Sequence, residues 1–169
     1  MRGLLLLLAL LLGLAGPAQA QSGGSSNVRA PTSVKVVRPL ALTALRNLDF
    51  GTIVLGNLTS SQTVTVSTTG RTCGSGGQLT CSGTFATAQY RVLGTNNQVV
   101  LISTATPTST LTNAAGNRLT LTPSMPRTVT MPNSGNQGVV FDVGGSLTIA
   151  AGTPDGLYSG TMDVQVAYQ

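Results

Sequence analysis

Short stretches in which apolar and polar residues alternate are the feature that most constrains how this 169-residue chain can fold. They are rich in Thr and Val, and Gly, Asn, Pro and Ser separate them. Alternation is typical of half-buried strands, because successive side chains of a strand point to opposite faces of its sheet. The strands predicted after residue 51 are 63–67, 88–93, 98–103, 118–122, 127–131, 139–143, 147–150 and 158–168. Short strands with a turn about every ten residues predict an antiparallel β-sandwich, with a barrel as the alternative.

The last predicted strand has the clearest pattern. Its apolar parity consists of Met162, Val164, Val166 and Tyr168. The residues between them are mostly polar, so we expect this strand to bury one face and to expose the other.

Residues 34–50 also alternate, with an interruption. One parity carries Val34, Val36, Leu40 and Leu42. Pro39 lies among them and cannot donate a ladder hydrogen bond, so the pattern predicts two extended segments that meet at Pro39.

The first twenty residues predict an export signal. Arg2 precedes an apolar run from Leu4 to Leu14, and the small-residue site Ala18-Gln19-Ala20 follows. We therefore expect export through the Sec pathway into the periplasm, and from there to the cell surface or the medium. No later segment is apolar for 18 residues, so no membrane span is predicted in the mature chain. Residues 21–33 are polar and small and predict a flexible extension, which leaves residues 34–169 as a single domain.

Two cysteines enclose a glycine-rich stretch, CGSGGQLTC, from Cys73 to Cys81. In an oxidising compartment a disulfide is the expected state of such a pair. The spacing predicts a hairpin whose two strands are joined by the disulfide near their turn.

The composition excludes several function classes. The chain has no His or Trp and also lacks Glu, and its four acids are Asp49, Asp142, Asp155 and Asp163. Nothing in the sequence places a nucleophile together with a general base, so we do not expect an enzyme. No cofactor or metal is predicted either. The basic residues are scattered rather than grouped with aromatic residues, which argues against nucleic-acid binding.

The C-terminal run VGGSLTIAAGTPDGLYSGTMDVQVAYQ resembles the signature of bacterial chaperone–usher pilins, which carry a penultimate Tyr and a Gly fourteenth from the end. Tyr168 and Gly156 hold these positions. Together with PLALTALRNLDFGTIVLG and PSMPRTVTM, this run resembles the domain of unknown function 4402 family. That family comprises small secreted proteins related to spore-coat-U-like archaic pilins. The similarity covers Val34 to Gln169.

The resemblance implies an immunoglobulin-like sandwich that lacks its final strand and is completed by the N-terminal extension of the next subunit. On this reading Val34, Val36, Leu40 and Leu42 are the donor-strand candidates. The family's mechanism also implies a periplasmic chaperone and an outer-membrane usher. The residues expected to pair with the chaperone are Gly156, Met162, Val164, Val166 and Tyr168. The implied function is a structural subunit of a surface fibre that acts in adhesion or biofilm formation.

An alternative function is a self-complemented, monomeric secreted β-sandwich that binds a ligand or partner through its loops. In that case the segment around Val34 is the first strand of its own domain. Lys35, Arg38 and Pro39 depart from an apolar donor strand, which leaves two readings open: a donor limited to Val28–Val37, or no strand exchange at all. Whether residues 28–42 act in cis or in trans stays open at this point.

Overall fold

The structure, a computed structural model, describes residues 27–133 and 137–169. The predicted signal peptide and residues 21–26 of the predicted extension lie outside these ranges. The chain divides into two units, Met1–Lys35 and Val36–Gln169, and every strand of the described residues belongs to the second. Among the described residues, no helix is long and apolar enough to cross a membrane.

Twelve β-strands form the regular structure of the described residues. They are β1 (Ala41–Arg46), β2 (Thr52–Leu55), β3 (Gln62–Ser67), β4 (Gly70–Cys73), β5 (Leu79–Ser82), β6 (Ala88–Leu93), β7 (Val99–Thr104), β8 (Ser109–Thr112), β9 (Arg118–Ser124), β10 (Thr128–Thr130), β11 (Val139–Ile149) and β12 (Val164–Tyr168).

The strands form three antiparallel sheets. The largest has seven strands: β1-β6-β11-β3-β4 in order, with β9 paired to β11 and β8 paired to β9. A second sheet has the order β10-β7-β12, and β2 pairs with β5 in a third. The all-β, antiparallel fold confirms the prediction of a β-sandwich.

The longest strand, β11, corrects the sequence prediction of two strands, 139–143 and 147–150. Its first half pairs with β6, and its second half pairs with both β3 and β9. Gly144 and Gly145 lie at the change of partner, and a Cβ on Gly144 would lie only 2.3 Å from the carbonyl oxygen of Val66. The two glycines therefore permit a close approach of neighbouring strands instead of ending the strand.

Two hydrophobic clusters form the core. The first cluster consists of Phe50, Val64, Val66, Leu79, Leu119, Leu121, Leu147 and Ile149. The second cluster consists of Ala88, Val92, Val100, Ile102, Met131, Phe141 and Val143. Because β11 changes partner along its length, its two halves serve different clusters.

Cys73 and Cys81 form a disulfide, as predicted, with their Cα atoms 5.9 Å apart. The predicted hairpin between them is wrong. Cys73 lies on β4, which pairs with β3, whereas Cys81 lies on β5, which pairs with β2. The disulfide therefore joins two different sheets, and the glycines between the cysteines form a loop that crosses from one sheet to the other.

Several strand boundaries also differ from the prediction. The predicted strand 158–168 begins only at Val164, and β2 and β8 were not predicted. Of the two predicted extended segments that meet at Pro39, only the second forms a strand, β1, which begins at Ala41. Residues 27–40 lie in no strand.

Candidate strand-acceptor site

Three edge strands border the second cluster, β1, β10 and β12, and two of them, β1 and β12, form the candidate site. Within the described residues, β1 pairs only with β6, and β12 pairs only with β7. Each strand therefore has one edge whose ladder is not continued by another strand. A free edge presents unpaired N–H and C=O groups that can pair with an additional strand.

The alternation of hydrogen bonds in β12 identifies the groups at its free edge. The Gln169 N–H donates to the carbonyl of Val99 (3.1 Å), and the Asp163 carbonyl accepts from the Ala105 N–H (3.4 Å). Odd-numbered residues thus turn their backbone groups towards β7. Alternate residues of an antiparallel strand turn theirs the opposite way. The even-numbered residues 164, 166 and 168 therefore present their backbone groups to the free edge.

The side chains of β12, together with Met162 two residues before it, confirm the predicted parity. Met162, Val164, Val166 and Tyr168 are half-buried and contact the second cluster, whereas the residues between them are exposed. From the other edge strand Leu42, with Leu40 just before it, contacts the same cluster and is also half-buried.

The centre of the second cluster is fully covered, since Val92, Val100 and Val143 have 0% exposure. Along β1 and β12, in contrast, the side chains that contact this cluster are only half-buried, so the cluster is incompletely shielded from solvent there. We call the region bordered by β1 and β12 over this cluster the acceptor site.

Tyr168 connects the two borders at one end of the acceptor site. Its hydroxyl donates to the carbonyl oxygen of Arg38 at 2.6 Å and accepts from the backbone N–H of Thr95 at 2.7 Å. The Arg38 N–H in turn donates to Oγ1 of Thr95 at 2.6 Å. The backbone just before β1 is therefore fixed to the end of β12 by a side chain and not by strand pairing.

Asp163 marks the other end of the site. Burial raises the pKa of the Tyr90 hydroxyl above its ordinary value, and the nearby Asp163 carboxylate raises it further. Tyr90 is paired with Ala44 of β1, so Asp163 lies on the side towards which β1 runs. Because Arg38, three residues before β1, accepts a hydrogen bond from Tyr168, β1 and β12 run in opposite directions along the site.

The far end of β1 is held by Arg46. Its Nε donates to the carbonyl of Thr87 at 2.8 Å, and one terminal nitrogen donates to Thr87 Oγ1 at 2.9 Å. The same nitrogen forms an ion pair with Asp142 at 3.2 Å. This network fixes β1 to β6 and β11, so β1 is a stable border of the site.

The four donor-strand candidates do not stay together. Val34 and Val36 are 87% and 83% exposed, and Val28 before them is 92% exposed. Leu40 and Leu42, in contrast, contact the second cluster of their own domain. Pro39 lies between the two pairs, so shared parity in the sequence did not place these four side chains on one surface.

Gly156 lies outside β12, in the loop that follows β11. Its φ of +140° falls in the region that favours glycine, and a Cβ there would lie 3.2 Å from Nδ2 of Asn113. The structure thus separates Gly156 from the other four residues that were expected to pair with a chaperone.

Sequence reasoning missed the partners that define the ends of the site. Thr95 takes part through its backbone N–H and hydroxyl, and Arg38 through its backbone, so the pattern of side chains carried no signal for them. Asp163 was assigned to the exposed parity of β12, which is correct, but its closeness to Tyr90 depends on how the sheets pack.

Comparison with family models gives a match over residues 40–168 to the model described as "Domain of unknown function (DUF4402)". Comparisons with curated proteins and with solved structures gave no significant match.

Proposed function

The chain belongs to the DUF4402 family, and we propose that it is a pilin-like subunit of a secreted surface fibre that accepts a strand from a second copy at its acceptor site. The observation that carries this proposal is the pair of free edges, β1 and β12, over an incompletely covered core. The proposed donor is the segment Val28–Val37, which we call the lead. The fibre would serve adhesion or biofilm formation.

The lead has the alternating pattern of a β-strand, although it lies in no strand of the structure. Its even-numbered residues 28, 30, 32, 34 and 36 are apolar or small, with three exposed valines among them. Burying three valines contributes roughly 5 to 9 kcal/mol, at about 1.5 to 3 kcal/mol for each side chain. The whole domain has a net stability of only about 5 to 15 kcal/mol, so an occupied acceptor site would change its stability substantially.

Turn chemistry favours donation to a second copy over self-completion. Because β1 starts at the Tyr168 end of the site, the chain's own lead would have to reverse direction at residues 36–40 to lie beside β1. Tight hairpins require residues with positive φ, mainly Gly, Asn or Asp. The sequence there is Val-Val-Arg-Pro-Leu, which has none of them.

The same free edges suit a chaperone before assembly. A periplasmic chaperone would cover the acceptor site by adding a strand to the free edge of β12, and an outer-membrane usher would then exchange it for the lead of the next subunit. In this proposal the protein passes through the periplasm and ends at the cell surface, and it needs no cofactor.

The proposal is tested on the exported chain purified from periplasm, by size-exclusion chromatography with light scattering and by gels run in SDS with and without heating. We expect SDS-resistant ladders that disappear on heating. Replacing the apolar parity of the lead, Val34→Asp with Val36→Asp, is expected to abolish the ladders without unfolding the domain, because both side chains are exposed. The matched control is Ser33→Asp on the polar parity, which should assemble normally. A monomer at every concentration would refute the proposal.

One observation supports the second candidate, a self-contained monomeric sandwich. The Tyr168 hydroxyl already joins the borders of the acceptor site at one end. If this contact suffices, the protein will be a cooperative monomer, and deletion of the lead will not change its stability. Its function would then be binding through loops.

A further inference from the structure

The lead carries its charges on one parity only. Arg29 and Lys35 both lie among its odd-numbered residues, on the parity opposite to Val28, Val34 and Val36. In a strand that turns Val28, Val34 and Val36 towards the core, these two cations therefore project from the outer face of the sheet.

The acceptor site offers one acid to that face. Asp163 precedes β12 and belongs to its exposed, odd-numbered parity. Asp142 is already paired with Arg46, and Asp49 accepts a hydrogen bond from the Gly51 N–H at 2.8 Å. In the described part of the chain, Asp163 forms no ion pair or side-chain hydrogen bond.

The direction of an incoming lead follows from where the receiving copy's own lead leaves its domain. That lead departs at Arg38, which is bonded to Tyr168. If the incoming lead ended at the Tyr168 end, the donor's domain and the receiver's own lead would compete for one end of the site. In the opposite direction the donor's domain lies at the Asp163 end, and each copy joins the next head to tail in an open assembly.

This direction makes the incoming lead antiparallel to β12. From it we infer that Lys35 of one copy forms an ion pair with Asp163 of the next and thereby sets the direction and register of strand donation. The inference rests on the proposed function and adds the residues that specify how the strand enters. Arg29, six residues away along an extended strand, would lie about 20 Å from Lys35 and beyond reach of the same carboxylate.

Cross-linking between copies tests the pairing directly. Exported chains carrying Lys35→Cys are mixed with chains carrying Asp163→Cys, and a mild oxidant is added. The native cysteines are both in the disulfide, so the introduced thiols are the only free ones among the described residues. We expect a disulfide-linked dimer at least tenfold more abundant than in the matched mixture of Arg29→Cys with Asp163→Cys.

Charge reversal gives a second readout. Asp163→Lys should slow growth of SDS-resistant oligomers about three- to tenfold at low salt, since like charges then meet across the pair. Lys35→Asp in the donor should restore the rate, and Asp155→Lys, at an exposed loop acid, should leave it unchanged.

The outcomes separate the inference from the function on which it rests. If oligomers form but the Arg29→Cys mixture cross-links at least as well as the Lys35→Cys mixture, the inference is overturned and strand donation stands. If oligomers grow at the same rate with Asp163→Lys as without it, the inference is overturned as well. Absence of oligomers from the unmodified chain overturns both.

Discussion

Reducing the Cys73–Cys81 disulfide should destabilise the protein by an amount that follows from the length of the loop that it closes. The bond joins β4 of the seven-stranded sheet to β5, which within the described residues pairs only with β2. In the chain-entropy model, closing a loop of about nine residues contributes roughly 2.6 kcal/mol to the free energy of unfolding. That is a large part of the about 5 to 15 kcal/mol available to a domain.

A second connection between the same sheets limits the loss. One guanidinium nitrogen of Arg71, on β4, donates to the carbonyl of Phe50 at 2.8 Å and to that of Ser82, on β5, at 3.0 Å. The guanidinium also lies 5.0 Å from the centre of the Phe85 ring. We therefore expect reduction alone to leave the sheets joined, and reduction combined with Arg71→Ala to cost more than the sum of the two separate changes.

The assay is urea unfolding of the oxidised and reduced chain, followed by circular dichroism, with Arg71→Ala measured in both states. The variant Cys73→Ala with Cys81→Ala is the control, because it must not respond to reductant. A loss under 1 kcal/mol on reduction would refute the view that the disulfide holds β5 in place. Strictly additive losses would refute the claim that Arg71 and the disulfide hold the same pair of sheets.

Three further predictions concern single side chains, and urea midpoints measure each. Tyr168→Phe removes two hydrogen bonds and should lower the free energy of unfolding by about 1 to 2 kcal/mol, whereas Tyr158→Phe, which loses one exposed bond to a neighbouring loop carbonyl, should change it by under 0.5 kcal/mol; equal losses would contradict the bridging role. The raised pKa of Tyr90 means that the folded state holds this proton more tightly, so its contribution to stability is present below pH 10.0 and is lost as pH rises further; Tyr90→Phe should remove that part of the alkaline decline. Asp142→Asn should cost about 1 kcal/mol by weakening the half-exposed contact to Arg46, and salt that abolishes this difference would assign it to charge.

The sequence predicted the strands that alternate strictly and that bury one face. β6 was predicted with its bounds and β3 to within one residue, and in β3 the Val and Thr residues alternate between a buried and a more exposed parity. β4 and β5 were predicted to pair with each other, because the cysteine stretch resembles the glycine-rich turn of a hairpin, but the partner of each strand lies elsewhere along the chain. Periodicity reports which face of a strand is buried, but it carries no information on which strand lies beside it.

At the candidate site, too, the sequence pattern predicted which side chains are buried but not which groups become neighbours. The parity of β12 was predictable, and its side chains lie as predicted. The parity shared by Val36 and Leu40 did not show that these residues have different surroundings, since Pro39 separates an exposed lead from the core of the domain. The role of Tyr168 depends on two backbone groups far from it in sequence, and those become neighbours only in the folded chain.

The two borders of the acceptor site differ in how well they are protected against pairing, and this difference bears on which strand is used. β1 has a register irregularity between Ala44 and Arg46 and a charged side chain at its end. Bulges and charges are common devices that prevent an edge from pairing with other chains. β12, with the sequence VQVAY, has no charge, no proline and a regular register with β7. A regular, uncharged edge can pair with an additional strand. In the proposed assembly an added strand would therefore extend the ladder of β12 and pack against β1.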